Sequence, residues 1–146
     1  MQILNQIIHN KCIYTPFILW VLIQTFKVIS ELIVNKRLDV KRILGAGGMP
    51  SSHSAIVCSL ATCVGKEYGF DTGTFAVAFV MAFVVMYDAA GVRRAAGKQA
   101  RILNKILETP GLTTVEVQER LVELLGHTPI QDFVGALVGI VVGSIL

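Results

Sequence analysis

The sequence predicts an all-α protein, a polytopic integral membrane bundle of about four membrane-embedded helices plus a short amphipathic interfacial helix. Of its 146 residues 53% are hydrophobic and only 16% are charged. The mean hydropathy of +0.65 is too high for an ordinary soluble domain of this size. The hydrophobic residues also form long runs, which favours helices that lie in a bilayer. We expect a single membrane domain over residues 1–146.

The predicted membrane helices differ in length. The first apolar run, residues 14–34, is long enough to span a bilayer, and the preceding residues lack the basic region and cleavage site of a signal peptide. This helix should therefore stay in the mature protein. The second run, residues 52–64, is too short to cross without tilt or help. The runs at residues 72–87 and 130–146 are near spanning length.

The third helix is predicted to continue out of the membrane through residues 88–107. Its basic residues recur every three or four positions and share one face, opposite an apolar face. Such a face is typical of a solvated or headgroup-facing surface. After the Pro110-Gly111 break, Thr113 and Glu116 form a capping-box pattern that predicts the start of the short interfacial helix.

The basic residues also predict the orientation. They cluster at residues 36–42 and 93–105, and both clusters should be cytoplasmic. The short, balanced segment 66–71 suits an external hairpin, so the N-terminus would also lie outside. Basic residues that bind phosphate would give the same uneven distribution of positive charge between the two sides of the membrane. The predicted orientation and the predicted binding site therefore depend on each other. Because no transit-like extension is present, we expect a bacterial plasma membrane.

Charge and composition narrow the choice of partners. The net charge of +3 is modest and the basic residues stand beside membrane segments, so we expect anionic or phosphorylated lipids rather than nucleic acid. No ligand spacing indicates a metal, and we expect no cofactor. The cysteines, which lie in or beside apolar runs, are predicted to be small core residues. They are Cys12, Cys58 and Cys63.

Glycines recur every fourth residue in the last helix and form a ridge that allows another helix to approach closely. They are Gly135, Gly139 and Gly143. We favour packing within the chain over a dimer seam, and a homo-oligomer stays open. The stripe formed by Phe75, Phe79 and Phe83 is interpreted as core or lipid-facing.

In the segment Gly48-Met49-Pro50-Ser51-Ser52-His53-Ser54-Ala55, Ser51, Ser52 and His53 place two hydroxyls and an imidazole at the start of an apolar helix. Pro50 suits the first helical turn, and the preceding glycines let the backbone approach a ligand. Free N–H groups and the helix dipole favour an anion near Ser51 and Ser52. The alternative is that one of these serines is simply an N-cap and His53 an interfacial residue.

A second set of candidates lies later in the chain. Arg93 and Arg94 stand where the third helix leaves the membrane, preceded by Asp88. A guanidinium there can clamp a phosphoryl group, or it can merely pair with Asp88 or snorkel. His127 lies on the same predicted membrane side as His53. Two histidines at one phosphate site are the minimal equipment for a phosphohistidine mechanism.

Together these segments resemble the divergent branch of the type-two phosphatidic acid phosphatase superfamily, which is related to acid phosphatases and vanadium-dependent haloperoxidases. The resembling residues lie at 47–55, 87–104 and 125–135. The resemblance implies that Pro50-Ser51-Ser52-His53 corresponds to a Pro-Ser-Gly-His motif. Ser51 would then be a phosphate ligand, together with Ser52, and His53 the general acid. The same resemblance makes His127 the nucleophile.

The chain departs from the superfamily pattern at the residue that orients the nucleophile. The Asp expected after the histidine is Gln131 here, and Asp132 follows one residue later, about 100° further round a helix. A glutamine can hydrogen-bond an imidazole but cannot stabilise an imidazolium as a carboxylate does. Gln131, Asp132 and, beside the arginines, Asp88 are the candidate orienting residues.

The phosphate-binding cations also depart from the pattern. The first superfamily motif, a spaced Lys and Arg-Pro, is absent. Its role falls to Lys27 inside the first apolar helix, unless Lys27 instead pairs with Glu31. Arg120 is nearest to the superfamily arginine, but an i,i+4 pair with Glu116 explains it better. Arg93 is therefore the preferred phosphate clamp.

Two functions remain open at this point. One is a metal-independent hydrolase that acts on a lipid phosphate or pyrophosphate at the cytoplasmic membrane face, through a phosphohistidine. The other is a catalytically inactive membrane protein that keeps the phosphate pocket to bind anionic lipid or a partner. A transporter would require oligomerisation, because so few helices leave little room for a pathway.

Overall fold

The computed structural model describes residues 1–36, 48–108 and 126–146, and its regular structure there is helical, as predicted. The helices are α1 (Gln2–Ile8), α2 (Lys11–Asn35), α3 (Ser52–Tyr68), α4 (Gly73–Ala90), α5 (Val92–Glu108) and α6 (Pro129–Ile145). The predicted interfacial helix from Thr113, the Arg120–Glu116 pair and most of the basic cluster at 36–42 lie outside the described residues.

Capping side chains place the helix ends somewhat differently from the apolar runs. α2 begins before residue 14 because Asn10 caps it, its Oδ1 accepting the Cys12 N–H at 3.0 Å. α3 continues past residue 64 and ends before Gly69, whose φ of 102° suits a glycine. Apolar runs mark the membrane-facing length of a helix, whereas polar caps decide where it begins and ends.

The third predicted helix does continue beyond the apolar run. Gly91 separates α4 from α5, but hydrogen bonds cross the junction from the Gly91 N–H to the Tyr87 carbonyl and from the Ala95 N–H to the Gly91 carbonyl, both at 2.9 Å. Together α4 and α5 cover the predicted extension through residues 88–107.

Two stretches of the described chain, Lys11–Val34 and Gly73–Glu108, are long and apolar enough to span a membrane by length and composition. Pro129–Ile145 is a shorter apolar helix. Their outward faces carry large apolar side chains such as Phe26, Phe79 and Phe83, which are 57%, 58% and 63% exposed. Exposed apolar surface on this scale is typical of helices that face lipid.

The core is organised around α3, which packs against α2, α4 and α6. On one side Cys12, Val57, Cys63 and Ala78 share an apolar cluster. A second cluster joins Leu19 and Ile23 of α2 to Ala55, with Val138 and Val142 of α6 packed against it. The three cysteines are free and buried, as predicted for small core residues.

The glycine ridge of α6 packs along α3. Gly135 faces the Ser51 carbonyl, Gly139 the Ala55 carbonyl and Gly143 the Ser59 carbonyl. A Cβ at any of these glycines would collide with the α3 backbone, so only glycine allows the two helices to approach this closely. The ridge thus packs within the chain. The matching order of the contacts means that α3 and α6 run in the same direction, with their N-termini at the same end.

Candidate functional site

The candidate site lies where the N-termini of α3 and α6 meet the junction of α4 and α5. The Ser51 N–H donates to the Gln131 carbonyl at 3.1 Å, which ties the start of α3 to the start of α6. The His127 N–H donates to the Ala89 carbonyl, also at 3.1 Å, which ties the segment before α6 to the end of α4. Because both helix N-termini point here, their dipoles favour an anion.

Gly126 explains how the segment before α6 fits so closely against the junction. Its φ is 86°, a conformation that side-chain-bearing residues rarely adopt. A Cβ at this position would lie 2.7 Å from the Cα of Arg94 and against the backbone of Arg93. The positive φ and the close backbone contact therefore both require a glycine at this position. The resulting turn places His127 inside the bundle.

His53 and His127, which are distant in the sequence, are neighbours in the fold. Their ring centroids are 5.5 Å apart and the rings are inclined at 67°, edge to face. The His127 side chain is only 1% exposed, and neither of its ring nitrogens has a hydrogen-bond partner within the described chain. Buried polar atoms are normally satisfied, so such a pair of nitrogens indicates a place for a ligand.

Burial lowers the pKa of His127 below its ordinary value. The Asp132 carboxylate opposes this shift, whereas His53, Lys27 and Arg93 add to it. The shift favours the neutral imidazole, which has one unprotonated ring nitrogen.

Two cations approach the histidines from different helices. Arg93 Nη1 lies 3.5 Å from Nε2 of His53. Lys27, in the interior of α2 and 6% exposed, extends to Gly48, where an added Cβ would lie 3.8 Å from its Cδ and 3.9 Å from its Cε. Both cations act electrostatically on both histidines. The structure thus brings Lys27 and Arg93 to one site.

The guanidinium of Arg93 is held in place by Asp88. Arg93 Nε donates to Asp88 Oδ2 at 2.8 Å, and both side chains are about two-fifths exposed. Pairing with Asp88 and an approach to the histidines are therefore compatible, because different nitrogens of one guanidinium make them. Arg94 differs, since its side chain is exposed and the site receives only its backbone, against Gly126.

Ser51 is the N-cap of α3. Its Oγ accepts the Ser54 N–H at 3.3 Å, and the two serine Oγ atoms lie 3.1 Å apart. Ser54 donates its hydroxyl to Asp132 Oδ1 at 2.7 Å. A hydroxyl has one hydrogen, so the Ser51 hydroxyl must be the donor between the two serines. Ser51 is fully buried and engaged, whereas Ser52, also buried, begins the helix where N–H groups lack intrahelical acceptors.

Gln131 and Asp132 have different environments at the start of α6. Gln131 Oε1 accepts the Thr128 N–H at 2.9 Å, and Thr128 Oγ1 accepts the Gln131 N–H at 3.4 Å, which completes a capping box. Asp132 is 6% exposed, and its Oδ2 is buried without a hydrogen-bond partner among the described residues. The amide oxygen thus serves the helix cap, and a carboxylate faces the buried site.

Two parts of this arrangement were missed from the sequence. Ser54, which joins Asp132 to the N-cap of α3, was not a candidate, and no local pattern in the sequence links residues so distant. The pattern Thr128-x-x-Gln131 was available as a capping-box signature, and it would have assigned Gln131 to the cap.

The fold and site define a class, that of helical membrane proteins with a buried polar site at one end of the bundle. The family model described as "Divergent PAP2 family" matches residues 8–142, and the chain belongs to that family. The chain is 42% identical over 134 residues to the "Uncharacterized membrane protein YuiD" of Bacillus subtilis (strain 168), with 84% of this chain and 85% of the relative covered. No solved structure matches the chain. The protein is accordingly a membrane protein.

Proposed function

We propose that the protein is a metal-independent membrane phosphatase that hydrolyses a lipid phosphate or pyrophosphate through a phosphohistidine intermediate. The observation that carries this proposal is the meeting of His53 and His127, 5.5 Å apart between ring centroids, beside the buried Lys27 and the more exposed Arg93. Family membership supports a phosphatase-like site, and the apolar surface supports a substrate that resides in lipid.

In the first step, the neutral His127 nitrogen attacks phosphorus, the bond to the leaving oxygen breaks, and His53 gives that oxygen a proton. In the second step, His53 takes a proton from water, the water oxygen attacks phosphorus, and the bond between phosphorus and His127 breaks to release phosphate. His53 thus regains in the second step the proton that it gives in the first, and the cycle closes.

Electrostatic preorganisation supplies the stabilisation of the transferring group. In this mechanism Arg93, Lys27 and the N–H groups of the first turn of α3 would contact the equatorial oxygens as they develop charge. Ser52 is a further ligand. Ser51 contributes through the cap that fixes this turn, and Arg94 contributes its charge at the rim.

Asp132 is the better candidate to orient His127. Its free Oδ2 is buried and its charge acts on the His127 imidazole, whereas Gln131 is held in the capping box. Ser54 fixes the carboxylate from the side of α3. A carboxylate at this position both orients the ring and stabilises the positive charge that phosphorylation creates on it. Asp88 orients Arg93 in the same way.

For the membrane arrangement we propose four embedded helices, α2, α3, α4 and α6, with the site at the cytoplasmic face of a bacterial plasma membrane. α2 ends with Lys36 at the end of the bundle where α3 begins, and the basic face of α5 leaves the bundle there too. This concentration of positive charge at one end supports the orientation.

The competing function is a binder of anionic lipid that has lost catalysis. The specific observation in its favour is Gln131, whose oxygen serves the cap instead of a histidine. Binding would use the same cations and N–H groups, but no phosphorus–nitrogen bond would form.

The deciding experiment measures phosphate release by the purified protein in detergent, across a panel of lipid phosphates and pyrophosphates, with chelator present throughout. Release that His127→Ala abolishes, together with an acid-labile and base-stable phosphoprotein in the wild type, supports the enzyme. Release that survives His127→Ala overturns the nucleophile assignment. Lipid binding without release, lost in Arg93→Ala, supports the binder instead.

A further inference from the structure

Helix α5 presents two chemically different faces outside the bundle. The basic face covers an arc of about 60° around the helix axis. It consists of four exposed residues, Arg94, Lys98, Arg101 and Lys105. The apolar face lies beside it and covers an arc of about 100°. It consists of four residues that are 43% to 61% exposed, Val92, Ile102, Leu103 and Ile106.

The apolar face is uncovered within the described part of the chain. Among the described helices, the backbone of α5 lies close to that of α4 alone. The buried residues of α5, which are Gly97, Ala100 and Asn104, form a third side of the helix. A stripe of exposed apolar side chains indicates a surface that lipid or another molecule covers. A helix with one apolar face and one face rich in Lys and Arg is typical of helices that lie at a membrane surface.

The length of α4 places α5 at the edge of the bilayer. The 18 residues of α4 extend about 27 Å, close to the hydrocarbon thickness of about 30 Å. α5 follows Gly91, whose φ of −101° and ψ of −83° depart from helical values, so the helix axis can turn at this residue. The apolar face continues to Ile106, about 22 Å beyond Gly91. A helix that projected straight into water would expose this face, whereas a helix along the bilayer surface would bury it.

Charge identifies the kind of surface that α5 fits. Residues 92–108 include five basic residues and one acidic residue, Glu108. Arg93 pairs with Asp88, and the other four basic residues form the basic face. Basic residues beside a membrane segment are attracted to an anionic leaflet. A second copy of this chain would bring the same positive charge, which opposes it as the occupant of this surface.

We propose that α5 is an interfacial helix that docks on the anionic surface of the bilayer. The apolar face lies among the acyl chains at the headgroup boundary, and the basic face contacts anionic headgroups. Docking does not depend on the proposed function, because it needs neither histidine of the candidate site. Since the backbone of Arg93 packs against Gly126, docking also holds the α4–α5 junction that borders this site.

The test places a fluorescent reporter at the far end of the apolar face. The full chain carries Trp20→Phe, which removes its single tryptophan, and Ile106→Trp. It is reconstituted into vesicles of phosphatidylcholine alone or of equal parts phosphatidylcholine and phosphatidylglycerol, with brominated acyl chains that quench tryptophan on contact. We expect quenching to be about twofold or more stronger in the phosphatidylglycerol vesicles. Salt at about 1 M should reduce this difference, because the Debye length falls to about 3 Å.

Two further variants are the matched controls, and unbrominated vesicles of the same lipids give the reference fluorescence. Phe83→Trp with Trp20→Phe reports from the outward side of α4, where Phe83 is 63% exposed. Its quenching should be the same for both lipid compositions and both salt concentrations, which checks that the protein is inserted. Changing three residues of the basic face in the Ile106→Trp chain should abolish the preference for phosphatidylglycerol. The changes are Lys98→Gln, Arg101→Gln and Lys105→Gln.

Three results would overturn the proposal. If Phe83→Trp is quenched but Ile106→Trp is quenched in neither composition, α5 projects away from the bilayer or is covered by protein. Equal quenching of Ile106→Trp in both compositions would mean that charge does not select the lipid. A preference that survives the triple substitution would remove the basic face from the interaction. Because the readout is fluorescence and the changed residues lie outside the candidate site, the test stays decisive even if the protein has no phosphatase activity.

Discussion

The two ends of α3 make contacts with the same neighbouring helices but contain different chemistry. At its start, Ser51 and Ser54 are fully buried against Asp132 of α6 and lie near His127. Towards its end, Cys63 and Val64 pack in an apolar cluster that includes Cys12 of α2 and Ala78 of α4.

The two ends differ in how many buried polar atoms lack a hydrogen-bond partner, which lowers the stability of the folded protein. Each buried polar atom without a partner costs about 1–3 kcal/mol. At the start of α3 the described chain contains several, on His53, His127 and Asp132. A ligand with many acceptor and donor positions, such as a phosphoryl group, would offset that cost. Towards the other end apolar contacts dominate, and the buried atoms without a partner in the described chain are the hydroxyl oxygens of Thr15 and Ser59.

The sharpest test of this comparison is His127→Asn, which keeps a polar side chain but removes the nucleophile. Phosphate release should fall by at least about 10³-fold, because the covalent step is lost. Cys58→Ser at the apolar end should retain activity within about twofold. Kinetics with detergent-solubilised protein measure both. Equal losses in the two variants would mean that the ends are not functionally distinct.

The contact between α3 and α6 that assembles the polar end can be broken directly. Gly139→Val should destabilise the protein by about 3 kcal/mol or more, because its side chain would collide with the Ala55 carbonyl. Gly73→Ala is the control, since nothing lies within 4 Å of an added Cβ there. Unfolding in denaturant measures both, and similar stability in the two variants would contradict the close approach.

The division of roles between neighbouring residues at the start of α6 is also testable. Asp132→Asn should lower phosphate release about 10²-fold, because the carboxylate that orients His127 is lost. Gln131→Ala should instead cost about 1 kcal/mol of stability through the capping box, with activity little changed. Rates and unfolding midpoints distinguish the two. The reverse result would return the orienting role to Gln131.

The smallest expected effect is that of pH on stability. Because burial lowers the pKa of His127, the unfolded chain binds a proton more readily than the folded protein. This contribution to stability is complete above the unfolded pKa of about 6.5 and is lost as the pH falls towards the lower folded value. The unfolding midpoint of the wild type should therefore drop more than that of His127→Gln between pH 7.5 and 5.5, as read by circular dichroism. An equal drop would show that another group is responsible.

Much of the fold could be predicted because it depends on local pattern. Apolar runs mark the long helices, and the glycines of α6 indicate a close helix contact, although the identity of the facing helix is not encoded locally. The sequence analysis does not predict the break at Asn10, which separates α1 from α2. Apolar residues lie on both sides of this position, and the break is marked by the side chain of Asn10, which caps α2.

The candidate site was predictable only in part, for a physical reason. His53, His127 and Arg93 stand out as unusual polar residues beside membrane segments. The choice between Gln131 and Asp132 depends on which side chain the helix cap uses, and the network through Ser54 depends on tertiary packing. The resemblance to the superfamily matches Gln131 to the position of the orienting Asp. The hydrogen bonds that Gln131 and Asp132 actually make depend on how the helices pack, which the resemblance does not give.

The glycine ridge also restricts how the site can fail. Three glycines four residues apart on α6 meet three carbonyls four residues apart on α3, so the two helices can slide past each other only in steps of about 6 Å, four residues at about 1.5 Å each. A step of that size would separate His127 from His53 altogether. The pair of histidines is therefore either fully assembled or absent. If the proposed function holds, damage to the ridge should reduce the fraction of active molecules while leaving the turnover rate of each active molecule unchanged.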